Sequence, residues 1–336
     1  MNNGAPPISL SSLDIPFPAP KNPLGHEAEE LAKGIALRVG LLRPALREVL
    51  RFSGFNSLPS HVFPSAPLEA LVACCQWCDW QFFFDDECDD DRAFGADLVK
   101  LRRLMEAYLD VLRGGVPQGA PTPLTAFTLD LRQRLLGLSS GAWLQRFTSS
   151  VEDYLLRGSL PAVRNWRDNF VPSIEDYMAQ REYDSGVYTT LDLIELTSNF
   201  ELPANIIADP FVQRMRHLCT RVVAFTNDVV SFQKEVLKNQ NPNNLIHVLM
   251  IRRSCSFPAA AAEALAIINA DVQEFIHSRK NAPAFPPDVA PMITLYLDGM
   301  EHWMRGNLDW SLSSPRYKAP DSPFEELRTQ GQTPAR

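Results

Sequence analysis

The chain has 336 residues, of which 45% are hydrophobic and 21% charged, so it can bury a sizeable core and is not a disordered polymer. Lys and Arg number 32 against 40 Asp and Glu, a formal net charge of −8, which argues against a basic nucleic-acid-binding face. Glycine is sparse at 16 and proline plentiful at 27, which disfavours glycine-rich nucleotide loops.

Residues 1–34 are Pro-rich and read as an extended segment lying over the rest of the chain. From Ile35 onward apolar residues recur at helical spacing. Helices are predicted over Ile35–Phe52, Leu68–Asp89, Ala96–Leu112 and Leu124–Leu138. The series continues with Ala142–Leu156, Val163–Tyr177, Leu191–Thr197, Phe211–Leu237, Leu245–Arg252, Ala259–Ser278 and Ala290–Leu312. Most carry Pro, Gly, Ser or Asn near at least one end, as helix ends do. Alternating strand patterns are nearly absent. The expectation is one all-α domain over residues 35–318, with a polar, mobile tail over 319–336. Six cysteines, three of them at 74, 75 and 78, fit reduced thiols better than a disulfide framework. The N-terminus shows neither secretory nor organellar patterning, and no apolar window of about 20 residues could span a bilayer. The chain therefore reads as soluble and cytoplasmic.

The most unusual stretch is Phe82-Phe83-Phe84-Asp85-Asp86-Glu87-Cys88-Asp89-Asp90-Asp91, with six carboxylates in seven residues directly after an aromatic helix. On a helix Asp85 and Asp89 share a face, where like charges repel. A solvated acidic loop is the plain alternative. The preceding Trp77, Trp80 and three phenylalanines weigh against it by drawing Asp85 toward the core. Carboxylates at a core edge need cations, and oxygen-only ligation suits Mg²⁺, which binds through few carboxylates plus substrate phosphates. A second cluster begins 142 positions after Asp85, at Asn227-Asp228-Val229-Val230-Ser231-Phe232-Gln233-Lys234-Glu235. Asn227, Ser231 and Glu235 fall at i, i+4 and i+8, an amide oxygen, a hydroxyl and a carboxylate on one stripe of one helix. Lys234 adjoins them as a cationic phosphate contact. Alone the row would be an ordinary polar helix face; paired with the first cluster it reads as a second Mg²⁺ site.

These residues resemble those of class I terpene synthases of the microbial kind. Asp85-Asp86-Glu87-Cys88-Asp89 is similar to the family's aspartate-rich motif, with Asp89, Asp90 and Asp91 each able to supply its last acid. Asn227, Ser231 and Glu235, with Lys234, are similar to its second metal motif. Arg316-Tyr317 resembles the C-terminal pair that binds diphosphate on closure. Arg181, 46 residues before Asn227, stands where the family places its diphosphate-sensing arginine, followed by Asp184 as linker and Ser185, beside Gly186, at the effector position of a broken helix. The resemblance covers about residues 80–317.

It implies a single-domain isoprenoid-synthase helical bundle with a central apolar cavity and three Mg²⁺ ions per site, held by Asp85, Asp89, Asn227, Ser231 and Glu235. The substrate it implies is a prenyl diphosphate, farnesyl diphosphate first, clamped by the metals with Arg181, Asn227, Lys234, Arg316 and Tyr317. Ionisation then yields a carbocation that cyclises. Phe82 and Trp310 are candidate aromatic neighbours of that cation, with plain core packing as the alternative for each. Helical geometry adds Cys78, Gln81, Val223 and Ala224 to the expected cavity wall. A homodimer is compatible with this reading. A chain-elongating prenyltransferase of the same fold would carry a second Asp-rich motif, and a helical binding protein without catalysis would not need every metal ligand. Cys75–Cys78 has CxxC spacing inside a helix with no partner pair, and Gly137–Gly141 matches GxSxG without the preceding strand that nucleophile needs.

Overall fold

A computed structural model describes residues 7–42, 57–90, 97–117 and 119–329, with the side chains of 85–90 outside the description. The helices, numbered in order, are α1 (Gly25–Arg38), α2 (Leu58–Val62), α3 (Leu68–Asp90), α4 (Leu98–Arg113), α5 (Pro123–Leu138) and α6 (Gly141–Glu152). Next come α7 (Leu160–Arg167), α8 (Ile174–Asp184), α9 (Val187–Thr197), α10 (Ala204–Ile207) and α11 (Pro210–Phe232). The series ends with α12 (Leu245–Arg253), α13 (Phe257–Lys280) and α14 (Ala290–Ser313). Among the described residues the only extended pairings are isolated bridges, so the all-α expectation holds. No described helix is long and apolar enough to cross a membrane.

Two helices form the middle of the bundle. In α3 the side chains from Ala70 to Trp80 are all buried, and Trp77 stacks on Trp80 at 5.0 Å, which in turn stacks on Phe84 at 5.2 Å. Their indole N–H groups do not go unpaired: Trp77 donates to Thr189 Oγ1 at 2.7 Å and Trp80 to Thr128 Oγ1 at 2.8 Å. Helix α11 starts where Asp209 accepts from the amides of Phe211 and Val212, with Pro210 in the first turn. From Val222 to Phe232 only Asn227 of that helix is not buried. Helix α9 touches both α3 and α11, while α13 and α14 pack on α11.

Three sequence expectations need correction. The segment 1–34 is not extended throughout, because Gly25–Arg38 is helical and buries Ala28, Ala32, Ile35 and Ala36 against the bundle. Of the expected helix Ile35–Phe52, residues 35–38 belong to α1 and 39–42 are not helical, and the remainder lies outside the described residues. Val163–Tyr177 is two helices: Asn169 adopts φ +48°, Pro172 follows, and Ser173 caps α8 by accepting from Asp176 N. The tail is packed as far as Thr329. Ile8 N donates to Pro323 O at 2.9 Å, Glu325 N to Ile8 O at 3.0 Å, and Leu10 N to the Glu326 carboxylate at 2.9 Å. Phe324 and Leu327 are fully buried, Phe324 lying edge-on to Phe257 at 5.7 Å. Two apolar anchors in a polar stretch suffice to bind it.

Asp79, fully buried on α3, has a stability consequence. Burial pushes its carboxyl up to about 8, with Lys33 of α1 acting to lower it and Glu29 to raise it. The folded-state value lies above the unfolded one near 3.8, so the contribution of Asp79 to stability is fully present below about pH 4 and is lost as pH rises toward 8. Asp79→Asn is expected to raise the melting temperature at pH 8, by an amount worth a few kcal/mol, and to change little at pH 4. Unfolding curves at the two pH values decide it; an equal effect at both would remove the titration of Asp79 as the cause.

Candidate active site

A break between α8 and α9 organises the site. Gly186 takes a left-handed φ of +67°, and a Cβ there would lie 2.1 Å from Gln81 Nε2 of α3. Ser185 Oγ accepts from Val187 N and donates to Glu182 O, stitching the break from both sides. A wide π turn over Asp153–Ser159 presses on it: a Cβ at Gly158 would sit 2.3 Å from Asp184 N. The break thus holds Arg181, Asp184 and Ser185 on a cavity that Gln81 and Phe82 of α3 and Asn227 of α11 also line.

Arg181 is the hub. Its Nε donates to Asp228 Oδ1 at 2.8 Å, one terminal nitrogen donates to Asn227 Oδ1 at 3.0 Å, and the other lies 3.6 Å from Asp184 Oδ2. Burial acts to lower its pKa, but Asp228, Tyr177 and Asp184 outweigh it and keep the guanidinium charged. Asp228 is fully buried and accepts from Arg181, from Tyr177 OH at 2.6 Å and from Leu245 N at 2.9 Å. Asn244 donates to Asp228 O at 2.7 Å, so the start of α12 is bolted to the same residue. Asn227 in turn donates to Tyr317 OH at 3.0 Å, which draws the C-terminal pair onto α11.

The row Asn227, Ser231 and Glu235 runs from α11 into a π turn over Gln233–Lys238. Ser231 Oγ donates to Glu235 Oε2 at 2.9 Å. Burial raises the Glu235 carboxyl, with Lys234 and Arg181 lowering it. The wider turn lets Lys234, Glu235 and Asn239 all reach one cavity, and single π turns of this kind often mark functional sites. Gln233 donates to Asp321 Oδ2 at 3.0 Å, tying the C-terminal strap to this turn.

The cavity is walled by α3, α8, α9, α11 and α14. Of the residues singled out from sequence, Phe82, Arg181, Asp184, Ser185, Asn227, Lys234, Glu235, Trp310 and Tyr317 line it. The expected wall residues Cys78, Gln81, Val223 and Ala224 line it as well. Arg316 sits with its guanidinium carbon 5.5 Å from the Phe82 ring centroid, so that ring already faces a cation. Trp310 lies edge-on to Tyr317 at 5.8 Å and donates to Ser57 Oγ at 3.1 Å. Asp85 and Asp89 are on the helical backbone of α3, three and seven residues beyond Phe82, and their side chains lie outside the described residues, as does Asp91.

Sequence reasoning missed the Tyr177–Asp228 clamp. Tyr177 lies one turn before Arg181 on the same face of α8, a usable signal, but nothing local shows that it meets Asp228. It also missed Trp166, Asn241 and Asn243 on the polar rim and Trp303 and Asn307 deeper in the wall. The two decoy motifs fall away. Cys75 and Cys78 are buried thiols within α3, and Ser139, the serine of the GxSxG match, ends helix α5 with its Oγ donating to Leu135 O at 2.8 Å, after a helix rather than a strand.

Asn227, Ser231 and Glu235 offer three hard oxygen donors, one of them a carboxylate that burial disfavours as a lone anion, and that set suits a divalent cation.

The chain matches the family described as Terpene synthase family 2, C-terminal metal binding, over residues 76–274. It is 31% identical to a (+)-T-muurolol synthase ((2E,6E)-farnesyl diphosphate cyclizing) of Roseiflexus castenholzii, over 94% of this chain and 95% of that one. It is 30% identical to a germacrene A synthase of Nostoc punctiforme, over 91% and 94%. The fold is also that of the germacradien-4-ol synthase from Streptomyces citricolor, with a TM-score of 0.79 at 23% identity over 90% of this chain and 99% of that one. The chain belongs to the terpene synthase family, in its class I microbial branch. As such it is an enzyme of the carbon–oxygen lyase type, a terpene cyclase.

Proposed function

We propose that the chain converts farnesyl diphosphate, in a reaction needing three Mg²⁺ ions, to a cyclic sesquiterpene with release of diphosphate. The observation that carries this reading is the convergence of Arg181, Asn227, Lys234, Glu235 and Tyr317 on one cavity whose remaining wall includes Cys78, Phe82, Phe84, Val187, Val223, Ala224 and Trp310. Anion-binding groups and aromatic and aliphatic side chains on one cavity match a prenyl diphosphate, polar at one terminus and apolar along the rest.

In this reading Asn227 and Ser231 of α11 and Glu235 of the π turn after it would hold metal, with Asp85 and Asp89 holding it from α3. The bound ions would supply electrophilic stabilisation of the departing diphosphate. Arg181 adds a charged hydrogen-bond fork to the same anion, and Lys234, Arg316 and the Tyr317 hydroxyl complete the clamp. The aromatic and aliphatic side chains of the wall lie beside the allylic cation. Asp184 and Ser185 transmit the occupancy of Arg181 to the break before α9.

Incubation with geranyl, farnesyl and geranylgeranyl diphosphates plus Mg²⁺, with mass-spectrometric analysis of volatile products, tests the assignment. Cyclic fifteen-carbon products from farnesyl diphosphate, dependent on the metal, are expected. Preferential turnover of either other substrate would overturn the chain length, and no diphosphate release from any would overturn the function.

A further inference from the structure

Helix α9 starts at the break with Gly186 as its N-cap, a residue with no side chain to cap the helix. Its first turn is held instead from α3. Trp77 Nε1 donates to Thr189 Oγ1 at 2.7 Å, and the same hydroxyl donates to Gly186 O at 2.5 Å. That carbonyl also accepts from Thr189 N at 3.1 Å. Trp77 and Thr189 are both fully buried, and Trp77 is fixed in turn by stacking on Trp80 and lying edge-on to Phe147 at 5.1 Å. One turn along α3 from Trp77, Gln81 lies so close to Gly186 that a Cβ there would overlap its amide. The next position in that row is Asp85, so Trp77, Gln81 and Asp85 follow one another at i, i+4 and i+8 along the helix. Thr189 does not itself line the cavity. Its neighbours Ser185, Val187 and Thr190 do, together with Cys78, Gln81 and Phe82 of α3, and Thr190 Oγ1 donates to Val187 O at 2.7 Å.

Resting on the farnesyl diphosphate reading above, we propose that Thr189 is a positioning residue for cyclisation: its hydroxyl, held by Trp77, fixes the first turn of α9 against α3 and so sets the wall on which the cation folds. The residue touches neither substrate nor metal. It acts through Val187 and Thr190, whose backbone it holds in place beside the cavity. Helix ends fray, and a start with no capping side chain is the least restrained part of its helix, so a bridge from a neighbouring helix has most to restrain there. Competing ring closures of one cation share a starting point. Their ratio follows differences in activation free energy, and a small displacement of the wall changes it. Anion binding in the same reading falls to Arg181, Lys234, Arg316 and Tyr317, and the described hydrogen bonds of Thr189 reach none of them. Product choice and diphosphate binding should therefore separate at this residue.

The test is the product profile from farnesyl diphosphate and Mg²⁺, resolved by mass spectrometry, with KM and inhibition by inorganic diphosphate measured in parallel. Thr189→Val keeps the shape of the side chain and removes the hydroxyl. It should lower the ratio of the main product to all others by about fivefold or more, the scale set by losing one buried hydrogen bond. KM and the diphosphate inhibition constant should stay within about twofold of those of the unmodified chain. Thr189→Ser, which keeps the hydroxyl, should return most of the ratio. Trp77→Phe removes the donor while keeping a ring in the stack, and it should shift the profile in the same direction as Thr189→Val. An unchanged profile in Thr189→Val would overturn the proposal. An equal shift in Thr189→Val and Thr189→Ser would overturn it as well, by assigning the effect to packing rather than to the hydroxyl. A diphosphate inhibition constant that rises in step with the product shift would place Thr189 in anion binding and contradict the separation. If circular dichroism shows Thr189→Val unfolded, Trp77→Phe decides, and an unchanged profile there removes the bridge. These failures leave the cyclase reading intact, whereas absence of diphosphate release from the unmodified chain would remove that reading and the positioning role with it.

Discussion

Asn227→Ala is expected to cost about 10³-fold or more in metal-dependent turnover while the helical content stays intact. The residue is half-buried in the otherwise buried stretch Val222–Phe232 of α11, so its truncation removes little packing. It removes a great deal of chemistry. The amide oxygen accepts from Arg181 at 3.0 Å and the amide nitrogen donates to Tyr317 at 3.0 Å, so a single side chain joins Arg181, the Asn227–Ser231–Glu235 row and the C-terminal pair. Circular dichroism and the rate of diphosphate release separate the two effects. Turnover within a few-fold of the unmodified chain would remove Asn227 from the metal row.

Arg181→Ala has the second-largest expected effect, a fall in kcat of about 10² to 10³. The same change also strips the cation from Asp228, a fully buried carboxylate, and breaking a buried ion pair costs about 3–5 kcal/mol. A falling melting temperature is therefore expected alongside, and it does not by itself show a role in ionisation. Arg181→Lys distinguishes the two. It keeps a charge beside Asp228 but loses the planar fork that serves Asp228 and Asn227 at once. The expected result for Lys is most of the stability recovered and most of the rate still missing, measured well below the melting temperature. Recovery of both would make Arg181 a structural ion pair.

Much of this was readable before any coordinates, and the unread parts share a cause. Helices with strong start signals began within two residues of the expected position: Asp209-Pro210 opens α11, and α14 begins at Ala290 as expected. The weakly signalled α1 was missed because its buried face is largely alanine, which the Pro-rich surroundings obscure. The two π turns were invisible because a sequence carries no mark for the width of a turn, yet one of them delivers Lys234 and Glu235 to the cavity. In the site, the i, i+4, i+8 row of Asn227, Ser231 and Glu235 was legible from spacing alone. Arg181 was legible only through family resemblance. Tyr177, Asp228 and Leu245 meet through long-range packing between α8, α11 and α12, which no local pattern encodes. Thr189 sits inside an apolar helix and carries no local signal; only its bonds to Trp77 and Gly186 mark it.

The claim underlying every assignment is that α3 and α11 grip one anion together through metal. Crystals grown with Mn²⁺ and inorganic diphosphate, measured at the manganese absorption edge, address it in one experiment. Three anomalous peaks between Asp85 and the Asn227–Ser231–Glu235 row, bridged by a diphosphate in contact with Arg181, are the expected result. Metal bound to one helix alone, or a diphosphate seated away from Arg181, would contradict a shared grip.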